Sequence, residues 1–166
     1  GTPLILYLLH LVKLTKLEDK VALCKRLKLP NKASDLASFA HHLMPNLKKN
    51  EPHLIDKAHW VTHYASPFFT PCFKVYLATI GAEKRPQLIQ FHKEQENELR
   101  EAIERRQNHT FLLTSRELIQ LGINPSPLLG TLLEESETIA INEAISDKQV
   151  LIARLKQSEH WPQSLS

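Results

Sequence analysis

Glycine is scarce in this chain, with 4 residues in 166, well under the roughly 7% of ordinary usage. The scarcity excludes a G-x-G-x-x-G dinucleotide loop and a phosphate-cradling P-loop, since both need clustered glycines where backbone meets phosphate. It also weighs against a sheet-rich fold, because hairpins place glycine in their turns. Cysteine is nearly absent. Cys24 and Cys72 make no disulfide framework, and their apolar surroundings read as reduced core thiols of a cytoplasmic protein. Long hydrophobic runs are missing. The most apolar stretch, residues 4–12, contains His10; it is too short to cross a bilayer and lacks the basic leader of a signal peptide. The chain opens Gly1-Thr2-Pro3 without methionine, as a processed or partial chain would.

Catalytic signatures are missing too. There is no D-x-D or D-x-E pair for a two-metal site and no G-x-S-x-G elbow. His59 and His63 stand four apart and share a helix face, but Trp60-Val61 follow His59 where a zincin has glutamate, and no third ligand is near in sequence. They read as ordinary packed histidines, and His41-His42 diverge by about 100° on a helix. Cys24 has Lys25 and Arg26 beside it but lies on an apolar stripe, so packing is its expected role. No catalytic residue and no metal ligand is expected.

Leucine dominates what is present, with 28 residues, and with so little glycine the expectation is an all-α fold. Helices are expected over residues 4–14, 17–29, 33–43, 53–64, 68–80 and 86–107, then 115–121, 127–136 and 147–157. Pro30 stops the second and Pro45-Asn46 the third, because a proline pushes its predecessor out of helical geometry. Asn31 or Ser34 caps the third, and Gly81 caps the end of the fifth. Gln107 to Thr110 reads as a linker. The expected organisation is a multi-helix body, 1–107, followed by a small helical tail, 108–166.

Charge is uneven. Residues 1–50 carry +6, residues 51–93 carry +2 and residues 94–166 carry −5. A basic first third implies an anionic partner. Lys20, Lys25, Arg26, Lys28 and Lys32 cluster there, on and just after the face of the second helix opposite Leu17, Val21, Cys24 and Leu27.

Residues 113–133 carry the most specific pattern. Thr114 or Ser115 caps a short helix with Glu117 in its first turn. Gly122 is placed for a left-handed end, Ile123 packs back, and Pro125 holds Asn124 extended. Ser126 and Pro127 then open a second helix. Gly130 in its first turn permits close approach of another helix or of a ligand backbone. The free N–H groups of that second helix form a site suited to a phosphate; a plain, well-capped α-hairpin is the other reading.

Glu117, Leu118, Gly122, Ile123, Leu129, Gly130 and Leu133 resemble the tail motif of class II tRNA nucleotidyltransferases, the CCA-adding enzymes, and of bacterial poly(A) polymerases. Ser115, Glu117 and Ser126 replace a glycine, an aspartate and a glycine of that motif. Residues 17–37 resemble the same family's body helix and its Arg-Leu-x-x-Pro-Asn turn, and residues 143–148 its turn into a last helix. The resemblance covers most of the chain. It implies the non-catalytic body and tail of a protein that adds nucleotides from CTP or ATP to RNA 3′ ends. Mg²⁺ and catalysis would belong to a head and neck outside this sequence; Glu18-Asp19 lacks the arginine of the neck motif, because Ala22 stands in its place. The implied partners are tRNA or another structured RNA and the missing head and neck, with no membrane and no cofactor in this part. The implied RNA-binding residues are Lys20, Lys25, Arg26, Lys28, Lys32, Arg116, Ser126 and Gly130, with Gly122 and Pro125 as a structural turn. Two other classes are a helical protein-interaction or scaffold domain, docking through the acidic long helix, and a helix-turn-helix DNA binder. Glu134, Glu135 and Glu137 argue against the last by repelling phosphate.

Overall fold

Leucine at helical spacing and proline at the breaks give helices throughout. The computed structural model describes residues 3–12, 14–49 and 52–165. Among these it contains ten α-helices and no strand: α1 Leu4–Leu11, α2 Leu17–Arg26, α3 Asn31–Leu47, α4 Lys57–Tyr64, α5 Phe69–Thr79, α6 Arg85–Glu98, α7 Arg100–Asn108, α8 Ser115–Gln120, α9 Pro127–Asn142 and α10 Lys148–Leu155. The fold is all-α, as its composition implies.

Several boundaries differ from those expected. Helix α3 passes through Pro45 and ends two residues later. A proline this close to the end removes a single backbone bond, and buried Leu43 and Leu47 anchor the last turn on either side of it. The long helix expected over 86–107 is two, broken at Leu99 (φ −96°, ψ 11°). Helix α4 starts at Lys57, because the Asp56 carboxylate accepts from the His59 N–H and fixes the first turn there. Helix α9 continues to Asn142, since Ala140 and Ile141 extend its buried stripe. Gly81 makes no left-handed end for α5: its φ is −57°, and Ile80 before it is extended.

The chain divides into two compact units, and the division is not sequential. One holds residues 1–55 and 66–95, the other residues 56–65 and 96–166. The boundary expected between 107 and 108 thus falls inside the second unit. There α4 packs on α7 and α9, and the buried Glu137 carboxylate of α9 accepts from both Arg105 of α7 and the Leu112 N–H. These two hydrogen bonds tie α9 to α7 and to the segment between α7 and α8.

In the first unit α3 packs against α1, α2 and α5. Leu6, Cys24, Leu36, Ala37, Leu43 and Cys72 lie in its core. Both cysteines are free buried thiols, and burial pushes Cys72 up to about 12. His92 of α6 is also buried, its ring 4.8 Å from that of Phe73 and 5.8 Å from that of Phe69. The second unit closes on Leu113, Leu118, Ile123, Leu132, Ala140, Leu151, Leu155 and Trp161. No described helix is long and apolar enough to cross a membrane.

Candidate functional site

The corner between α2 and α3 is built by a backbone turn. Helix α2 starts with Glu18 and Asp19 and ends with Lys25 and Arg26, the arrangement its dipole favours. After Leu27 the chain enters left-handed space at Lys28, with φ 52°. There the Lys28 N–H donates to the Lys25 carbonyl and the Leu29 N–H to the Cys24 carbonyl, both at 3.0 Å. The pair of bonds caps the helix end, and Pro30 then leads directly into α3.

Lys25, Arg26, Lys28 and Lys32 are all exposed around this turn. None takes part in the ion pairs formed among the described residues, every one of which lies in the second unit. Lys20 does not join them. It is half-buried and its Nζ donates to His41 Nδ1 at 3.0 Å. Burial, then the nearby Lys48, hold its ammonium below its usual range. Burial, then Lys20, lower the His41 imidazole likewise. One of the three N–H donors of Lys20 is committed to the imidazole, which sets Lys20 apart from the four exposed cations. Lys20 and Lys48 edge a cavity of about 370 Å³ lined by apolar side chains including Leu6, Ala37 and Val75.

The second sequence-derived candidate is the joint between α8 and α9. Thr114 and Glu117 form a full capping box at the start of α8. Glu117 also accepts from Lys148; that bond, then the bonds from Thr114, pull its carboxyl down to about 2. Gly122 ends α8 with φ 95°, as the spacing predicts. Its N–H donates to Ile119 and the Ile123 N–H to the Leu118 carbonyl, while Ile123 and Leu118 are buried together.

One expectation fails here. Ser126 occupies the N-cap position of α9, but its side chain makes no capping bond. At Gly130 no neighbouring helix approaches: nothing lies within 4 Å of where a Cβ would stand, and the position is open. Arg116, Ser126 and Gly130 are exposed. The acidic residues after the joint are also not a free repulsive face. Glu137 is fully buried on Arg105 at 2.8 Å, Glu134 pairs with Arg106, and Glu135 accepts from Ser158 and His160.

His59 and His63 do share a face of α4, with their Nε2 atoms 3.2 Å apart. Among the described residues no group of three His, Cys, Asp or Glu side chains is placed to hold a metal. Sequence reasoning missed Lys74 on α5, which stands 42 residues beyond Lys32 yet lines the same groove in the first unit. Only the packing of α3 with α5 brings the two together. Comparison of the chain with protein-family models, with curated proteins and with solved structures finds no match.

Proposed function

We propose that this chain is the RNA-gripping, non-catalytic body and tail of an RNA 3′-end nucleotidyltransferase of the CCA-adding or poly(A)-polymerase kind. The observation that supports this most is the set of four exposed cations at the α2–α3 corner, none drawn into an ion pair. Unpaired lysine and arginine on a rigid turn suit a phosphate backbone recognised by shape and charge. The motif resemblance of the α8–α9 joint agrees with this reading, and that joint acts as scaffold. Nucleotide transfer, with its Mg²⁺ and its CTP or ATP, would belong to the head.

The test is a titration of the intact chain with tRNA lacking its 3′ end, across a range of salt. Each phosphate contact steepens the slope of log K against log salt by about 0.7–0.9. Replacing Lys25, Arg26, Lys28 and Lys32 with alanine should therefore flatten it by about 3. Duplex DNA should bind more weakly than tRNA, and added CTP, ATP and Mg²⁺ should give no extension of the RNA. An unchanged slope in the quadruple variant, or tighter binding to duplex DNA, overturns the reading.

A further inference from the structure

The first unit carries a groove of about 630 Å³ where the starts of α1, α3 and α5 meet. Ile5 and Leu36 form its buried floor, the half-buried Phe68 and Pro71 form one wall, and exposed Lys32 and Lys74 stand at its rim. No carboxylate lines it. Phe68 packs against Phe39, ring centroids 5.9 Å apart and planes tilted by 57°, so this aromatic wall is supported by a second ring.

An apolar cleft of this size accepts a small flat group. Two ammonium groups at its rim, and nothing acidic in its lining, select an occupant that is apolar in the middle and anionic at its edges. A purely apolar peptide segment has no use for the lysines, and an acidic peptide has no use for the floor. A nucleotide has both parts: a base with a π-face and a phosphate on each side. Lys32 also belongs to the corner described above, so a strand lying along that corner reaches the groove without leaving the protein surface. Lys32 lies in the first turn of α3 and Pro71 in the first turn of α5, so the positive ends of two helix dipoles add to the same field.

We propose that this groove seats one unpaired nucleotide of the bound RNA, its base against Phe68 and its phosphates on Lys32 and Lys74. The inference rests on the RNA reading above and extends it from double-helical backbone to a single unstacked base. Stacking one base on an aromatic side chain is worth about an order of magnitude in affinity.

The experiment compares two RNA hairpins on the intact chain. One is blunt; the other carries a short 3′ overhang containing 2-aminopurine. The overhang should tighten binding by about tenfold, and the 2-aminopurine fluorescence should be quenched on binding. Phe68→Leu keeps the apolar volume and removes the ring. Lys74→Gln removes one cation outside the α2–α3 corner. Each should bring the ratio between the two hairpins down toward one, about three- to fivefold, and leave the blunt hairpin's affinity unchanged. If Phe68→Leu fails to fold, Lys74→Gln alone decides. Equal binding of the two hairpins by the unmodified chain sinks the groove proposal and leaves the RNA reading standing. Binding of neither hairpin sinks both.

Discussion

In the first unit the cations of the α2–α3 corner face solvent; in the second, Lys57, Arg105, Arg106, Lys148 and Arg154 are each tied to a carboxylate. Exposed pairs of this kind contribute little, about 0–1 kcal/mol each, so the contrast is not mainly one of stability. It concerns which charges are available to a partner. The second unit ties these five cations to its own carboxylates and uses one buried pair, Arg105–Glu137, as a joint. The first unit has an apolar core with a buried neutral imidazole and leaves the four cations of the α2–α3 corner without a carboxylate partner. A similar division runs through the two turns. The ends of α2 and α8 are closed by the same two backbone bonds, one around Lys28 and the other around Gly122.

The largest expected effect tests the buried pair. Glu137 is fully buried and holds both Arg105 and the Leu112 N–H. Glu137→Ala leaves a guanidinium and a backbone donor without their acceptor, and should cost about 3–5 kcal/mol in urea denaturation. Lys25→Ala, at the exposed corner, should change stability by less than about 0.5 kcal/mol. A loss under about 1 kcal/mol for Glu137→Ala would show that the second unit does not depend on its buried charge.

Acid separates the units in a second way. Burial holds the His92 imidazole down at about 4, from an ordinary 6.5. The unfolded chain therefore takes up a proton below 6.5 that the folded unit refuses. Stability is complete above 6.5, falls as pH drops toward 4, and levels off below. Within that window each pH unit costs about 1.4 kcal/mol. Glu117 in the second unit behaves differently. Its carboxyl is held at about 2, so its contribution is present above 4.5 and is lost only as pH falls from there toward 2. Amide exchange should show α5 and α6 losing protection near pH 5 while α8 and α9 keep theirs, and His92→Leu should remove most of the pH dependence in the first unit, leaving the smaller share of the lowered His41. Simultaneous loss in both units at pH 5 would contradict this ordering.

How much of this was legible in the sequence depended on the range of the interaction. The all-α class, the left-handed Gly122 and the Thr114–Glu117 cap follow from composition and from neighbours within a few residues, and each is present. The burial of Glu137 was not legible, because its partners Arg105 and Leu112 stand 32 and 25 residues away; in sequence it is one acid among several. The bond from Lys20 to His41 was not legible for the same reason: it spans 21 residues. The groove was hidden because Lys32 and Lys74 meet only through the packing of α3 with α5. Ser126 shows the converse error. Its position is that of a cap, but its hydroxyl makes no cap bond.

The turn after α8 should be the more sensitive of the two to a β-branched residue. Gly122 has φ 95°, and a Cβ there would lie 3.1 Å from Leu165 Cδ2. The leucine end can shift, so backbone strain sets the cost. Gly122→Val should lose about 2 kcal/mol in thermal melts with no RNA present. An unchanged melting temperature would mean the joint relaxes out of left-handed space.

The turn after α2 gives the smaller change in stability of the two turns and the sharpest test of the comparison. Lys28 sits at φ 52°, where a glycine would be at ease. A side chain there costs about 1 kcal/mol, yet here the left-handed position carries a cation beside Lys25, Arg26 and Lys32. If that cation serves an anionic partner, stability and binding must move in opposite directions on its removal. Lys28→Gly should raise stability by about 1 kcal/mol, weaken tRNA binding and flatten the salt slope by about 0.7–0.9. Lys28→Ala keeps the strain, so it should reproduce the loss of binding without the gain in stability. A Lys28→Gly variant that is more stable and binds tRNA as before would leave the lysine as an unfavourable turn residue with no compensating role, and would remove Lys28 from the proposed phosphate contacts.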